Sequence, residues 1–291
     1  MIYLVLSILA SSVINLIFKL FDKYHIDNSQ AITINYIVCV LTGLAVGTDV
    51  GIVQTTSSLS WLWFSLGIGL LFIVVFVGMA QTTRLYGISV AVVAAKMGVV
   101  FPVLFGIVFL RELVSSWVYV GIILSLISVF LTSVKKQSTF GKRAIHLLPF
   151  LVFIGSGCID ITLKYIETIL PPEVNDNVPV LFIFATAGIL GFILHLFNNK
   201  GKLQFTKRNV VAGIALGVPN YFSIYFIFRT LHLKNWSLTT AQIFPINNIG
   251  IVVLSTILSV LLFREKLSTK NMVGIGMAVA AIIIIGNIFG S

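Results

Sequence analysis

Charge is what this chain has least of. Only 10% of its 291 residues are Asp, Glu, Lys or Arg, whereas a soluble domain carries about 25% because its surface must face water. That deficit excludes a single large water-soluble core. The nine acidic residues are scattered, so clustered carboxylates for acid–base chemistry are lacking too. Cysteine occurs twice, at Cys39 and Cys158 inside apolar segments, which leaves a disulfide or thiolate-metal framework without ligands. The four histidines, His25, His146, His195 and His232, lack metal-ligand spacing, and no cofactor motif is present. The formal charge of +10 does not signal nucleic acid, because the basic residues form no stripe interleaved with aromatics.

Hydrophobic length is what remains, with 58% of residues apolar. A helix needs about 20 apolar residues to cross about 30 Å of hydrocarbon. Ten such runs are predicted, over 2–21, 30–47, 61–84, 88–110, 114–134, 146–168, 179–197, 209–231, 237–263 and 270–289. They are helices because lipid offers no partner to an open backbone amide. Polar breaks separate them, among them Asp27-Asn28-Ser29, Pro171-Pro172 and Asn198-Asn199-Lys200-Gly201. The expected fold is an all-α integral membrane bundle. The N-terminus reads as the first span, since it has no basic region or small-residue cleavage site.

The sequence repeats. Arg111-Glu112 and Gly121-Ile122 correspond to Arg264-Glu265 and Gly274-Ile275 at an offset of 153 residues. Ser11, Asn15 and Lys19 correspond to Ser156, Asp160 and Lys164 at 145, and Gly69, Thr82 and Ser89 to Gly217, Thr230 and Ser237 at 148. Three matches in one order point to duplication, giving five-helix repeats over 1–137 and 138–291. Five spans is an odd number, so the second repeat inserts upside down relative to the first, as in many secondary transporters.

The residues Pro102 to Gly121-Ile122, and Arg264-Glu265-Lys266-Leu267 to Gly274-Ile275, resemble the EamA-type drug/metabolite transporters. The resemblance covers nearly the whole chain. One departure is that Pro245 lies 20 residues before Glu265, whereas Pro102 lies 10 before Glu112. The resemblance implies a central cavity lined by both repeats, alternating access and no ATP hydrolysis.

Orientation follows from loop charge. One side of the ten-span topology carries three basic residues, Arg111, Arg229 and Lys234. The other carries thirteen: Lys23, Arg84, Lys135, Lys136, Lys142, Arg143, Lys200, Lys202, Lys207, Arg208, Arg264, Lys266 and Lys270. The count, thirteen against three, places both termini outside the cell membrane, whereas the resemblance implies both inside.

Ionisable groups deep in a span cost several kcal/mol and mark pathways. Lys96 sits about 12–13 Å into its span, where it either meets an anionic substrate or pairs with a carboxylate. Asn15 and Lys19, like Asp160 and Lys164, share one helix face at i, i+4. Lys19 either binds substrate or snorkels towards Asp22. Asp160 and Lys164 are ion-coupling candidates, with Asp160 alternatively the local counter-ion of Lys164. Gln242, Asn247 and Asn248 beside Pro245 form either a polar notch for substrate or interhelical glue. Asn220, Tyr221 and Tyr225 are further lining candidates, Asn35 and Tyr36 weaker ones, and Pro102 and Pro245 are expected hinges.

The reading is a secondary transporter that moves a small metabolite (amino acid, organic acid or amphipathic compound) by alternating access. Its expected partners are that substrate, the bilayer and a proton or other coupling ion, and a monomer suffices. The alternative is a membrane-embedded enzyme acting on a lipid or lipid-linked substrate.

Overall fold

The computed structural model describes residues 2–47, 60–108, 115–133, 147–171, 174–175, 177–198, 205–232 and 240–285. Among these every regular element is helical. The helices are α1 (Ile2–Lys23), α2 (Asn28–Gly47), α3 (Ser60–Tyr86), α4 (Ile88–Lys96), α5 (Val100–Val108), α6 (Ser116–Ser133), α7 (Leu147–Ile169), α8 (Asn177–Asn198), α9 (Lys207–His232), α10 (Thr240–Phe263) and α11 (Thr269–Ile285). A 3-10 turn, Met97–Val99, joins α4 to α5.

Eight segments are long and apolar enough to cross a bilayer, with α4 and α5 together supplying one of them (Ile88–Phe105). Ser116–Leu131 and Thr269–Ile285 are shorter apolar helices. The outward surface is equally apolar: Phe197 is 79% exposed, Trp63 72% and Leu261 69%. Water would not tolerate such a continuous apolar exterior, and hydrocarbon requires it. The chain is a helical, multi-pass membrane protein. Its hydroxyls follow the same rule. Thr33, Thr42, Ser65, Thr82, Thr186 and Thr230 each donate to the carbonyl four residues earlier in their own helix, which satisfies them without water.

The chain divides into two compact units, Met1–Val77 with Thr162–His232, and Gly78–Ile161 with Leu233–Ser291. Each is built from two separated stretches of the sequence, so proximity does not follow chain order. In the first unit α9 packs on α1 and α2, and α2 also packs on α8. Its core is aromatic: Phe76 meets Phe18 and Tyr36, and Phe184 meets Phe72 and Tyr36, with ring centroids 5.5–6.1 Å apart. In the second unit α6 packs on α11, and α4 on α10.

Small residues set the closest crossings. In the first unit a Cβ on Gly69 of α3 would lie 2.6 Å from Thr186 Cβ and 2.8 Å from the Ile183 carbonyl oxygen. A Cβ on Gly217 of α9 would lie 2.6 Å from Val38 Cβ and 2.8 Å from the Asn35 carbonyl oxygen. Gly69 and Gly217, Val38 and Thr186, and Asn35 and Ile183 are all 148 residues apart. Both partners of one contact therefore map onto both partners of the other, with helix roles exchanged.

Candidate functional site

The second unit holds Lys96 and Asp160. Span 4 is not one continuous helix. Proline has no amide hydrogen, so a Pro102 inside an unbroken helix would leave the Gly98 carbonyl without its donor. The chain tightens into the 3-10 turn at Met97–Val99 and restarts, and Pro102 falls in the first turn of α5, where no donor is needed. The helical irregularity lies one turn before Pro102, the position expected to act as a hinge. Lys96 is the last residue of α4, directly before the 3-10 turn.

Two glycines bring α7 against this break. A Cβ on Gly98 would lie 2.7 Å from the Gly157 nitrogen and 3.1 Å from its Cα, so main chain meets main chain. A Cβ on Gly157 would in turn collide with the Phe101 ring, which also packs on Phe153 at 4.9 Å between centroids. Asp160 stands three residues beyond Gly157 on α7. As a result Lys96 and Asp160 act on each other electrostatically. Both are half-buried, and among the described residues they do not close into an ion pair or a hydrogen bond with any side chain. The sequence left Lys96 to find either a carboxylate or a substrate; the carboxylate nearest in effect is Asp160. Asp160, one turn from Lys164, answers to the lysine of a neighbouring helix.

α10 completes the site. Asn248 Nδ2 donates to the Lys96 carbonyl at 3.4 Å, a long bond to the last carbonyl before the break. Asn247 is buried, and its Oδ1 has no partner among the described residues. Pro245 lies inside α10 with its side chain buried. Gln242 belongs to α10, but its side chain lies outside the described residues. Nearer the helix ends Ser89 and Ser259 share a hydrogen bond of 3.2 Å between α4 and α10. The Glu265 carboxylate lies against Gly87, which has a φ of 98° and precedes α4. An anion there complements the positive end of that helix. Arg111 and Glu112, the first copy of the Arg-Glu motif, lie outside the described residues.

The first unit holds the other candidates. Asn220 Nδ2 donates to Asn35 Oδ1 at 3.1 Å, joining α9 to α2, so the weaker candidate Asn35 is the partner of a stronger one. Cys39 Sγ donates to the Gly217 carbonyl at 3.3 Å beside it. Tyr221 stacks on Tyr225 at 5.9 Å, and Tyr225 Oη accepts from Arg229 Nε at 3.2 Å. The buried hydroxyls of Tyr36 and Tyr221 have no partner among the described residues. Asn15 is buried and donates to the Ser11 carbonyl at 3.1 Å. Lys19 reaches Asp22 at 3.8 Å near the end of α1, the snorkelling arrangement, and such a partly exposed pair contributes little. Lys164 is half-buried on α7. Neither Ser89 with Ser259 nor the Gly98–Gly157 approach stood out in the sequence, since serine and glycine are common in spans and a crossing partner leaves no local mark.

The Asn35–Asn220 bond is of the interhelical kind worth about 0.6–1.7 kcal/mol in a bilayer protein. Asn220→Ala should lower unfolding stability by about that much, and Asn35→Ala by the same. The double variant should lose no more than the larger single loss plus a few tenths, read by reversible unfolding in mixed micelles. Fully additive losses would mean that the two amides do not act together.

No family model matches the chain. An uncharacterized protein of Haemophilus influenzae is 29% identical over 289 residues, which span 96% of this chain and 95% of that protein. A crystal structure of a protein 16% identical in sequence covers 100% of this chain and 98% of its own, with a TM-score of 0.60. That likeness concerns the fold alone.

Proposed function

We propose that this chain is a secondary active transporter of the EamA drug/metabolite type, moving a small metabolite by alternating access. The observation that carries the reading is the Lys96–Asp160 pair, which is not closed into an ion pair, beside a 3-10 turn inside a membrane helix. Hydrocarbon tolerates irregular backbone and ionisable side chains only where they serve a path or are matched by protein. Lys96 takes the negatively charged group of the substrate, with Asn247 and Asn248 supplying amide contacts from α10.

Ten spans in two inverted five-helix repeats, 1–137 and 138–291, complete the proposal. Its support is the exchange of helix roles between the Gly69 and Gly217 crossings at one offset of 148. An inverted pair provides two conformations of similar energy, which alternating access needs. Both termini lie outside by the loop-charge count.

Counterflow tests the function. Proteoliposomes preloaded with one unlabelled candidate solute should concentrate the labelled form transiently, above empty liposomes, for at least one organic acid or amino acid. Product formation without such flux would favour the enzyme alternative. Alkaline phosphatase fused after Ser291 should be active in cells; a silent enzyme and a bright cytoplasmic fluorescent fusion would reverse the orientation.

A further inference from the structure

Two opposite charges in a membrane span normally close on each other, because a lone charge in hydrocarbon is costly. Lys96 and Asp160 do not, although each acts on the other. The contact between Gly98 and Gly157 sets α7 against the 3-10 turn, with Lys96 two residues before that crossing on one helix and Asp160 three residues after it on the other. The walls around the crossing are largely apolar, with Phe101 on Gly157, Phe153 on Phe101 and Val152 buried against Ala94 and Ala95, and Asn248 of α10 adds a neutral amide at Lys96.

We propose that the substrate is a monocarboxylate that displaces Asp160 as the counter-ion of Lys96, and that Asp160 takes up one proton as it does so. This rests on reading the pair as the substrate site. Charge balance drives the step. The empty site holds an ammonium and a carboxylate, with no net charge. A bound carboxylate alone would leave a net negative charge among apolar walls. A proton transferred from water to an Asp160 carboxylate oxygen restores neutrality, and no bond other than that O–H forms or breaks. On release the proton leaves Asp160, which again becomes the counter-ion of Lys96. Substrate anion and proton therefore travel together and the cycle is electroneutral.

Lys96, and not Lys164 one turn along α7, is the charge that acts on Asp160, and Arg264, Glu265 and Lys266 follow the end of α10. α5, α6 and α10 carry no charged residue, and α11 carries only Lys270 in its first turn. Arg84 and Tyr86 lie at the end of α3, Tyr119 on α6, and Cys158 beside Asp160 on α7.

Benzoate is the probe: it has one carboxylate for one ammonium and an aromatic body for the Phe101–Phe153 wall. Benzamide is its uncharged isostere. Titrated into the full-length protein in weakly buffered detergent near neutral pH, benzoate should bind with uptake of about one proton per molecule bound. Its affinity should fall about tenfold per pH unit once Asp160 is ionised in the empty site. Asp160→Asn should bind benzoate with no proton uptake, a flat pH profile and about tenfold higher affinity at pH about 8, because a competing anion is gone. Asp160→Glu should restore the uptake. Binding without proton uptake by the wild-type protein, uptake that persists in Asp160→Asn, equal binding of benzamide, or failure of benzoate to bind would each overturn the proposal, and the wild-type proton count decides it even if a variant does not fold. Proton-linked binding without flux in vesicles would instead remove the transporter reading and leave this site standing.

Discussion

Lys96→Gln is expected to lower counterflow of a carboxylate substrate by about a hundredfold or more, the cost of losing one charge-assisted contact in a dry setting. The same change strands Asp160 in the span without a counter-ion. Breaking a fully buried pair costs about 3–5 kcal/mol; because both groups here are only half-buried, a smaller loss of about 1–3 kcal/mol is expected. These two losses can be separated. The double variant Lys96→Gln with Asp160→Asn removes both charges and should recover most of the stability while remaining inactive. Were the double variant to transport at the wild-type rate, the pair would be a structural device and its place in the substrate path would be lost.

Gly98→Val is the second change with a large effect. Its Cβ would lie 2.7 Å from the Gly157 nitrogen, and a backbone atom cannot turn aside as a side chain can. Overpacking in a core costs about 1–3 kcal/mol even where side chains yield, so a loss at or above the top of that range is expected here. The variant should lose monodispersity on gel filtration in detergent, or melt far below the wild type. Gly276→Ala is the control, because nothing lies within 4 Å of a Cβ at Gly276. If Gly98→Val and Gly276→Ala behaved alike, α7 would not be held against the 3-10 turn.

The positions of the helices were legible because hydrocarbon thickness dictates their length. The run read as 209–231 is α9 (Lys207–His232), and that read as 146–168 is α7 (Leu147–Ile169). Span 4 was legible only as one run containing Pro102. A proline names the carbonyl it cannot serve, but whether the chain bends, loosens or winds into a 3-10 turn depends on what packs beside it. Here that neighbour is Gly157, remote in sequence.

The charged residues teach the same lesson. Spacing of i, i+4 correctly places Asp160 and Lys164 on one face, yet it is silent about the next helix, and Lys96 is the charge that acts on Asp160. The Lys19–Asp22 pair, one of the two roles open to Lys19, lies within one helix, where local spacing does speak. Asn35 ranked low because nothing near it in sequence is polar in pattern; its importance comes from Asn220, 185 residues away. The offset of 148, by contrast, was readable at Gly69 and Gly217, although what each glycine touches was not.

That separation of Asn35 from Asn220 has a consequence for biogenesis. Ribosomes add about 5–20 residues per second, so α2 emerges about 10–40 s before the amide that satisfies Asn35 is made. During that interval the nascent α2 carries a polar side chain whose eventual partner does not yet exist. The early helices must therefore wait beside the insertion machinery, or borrow a temporary partner there, until α9 arrives to release them into lipid.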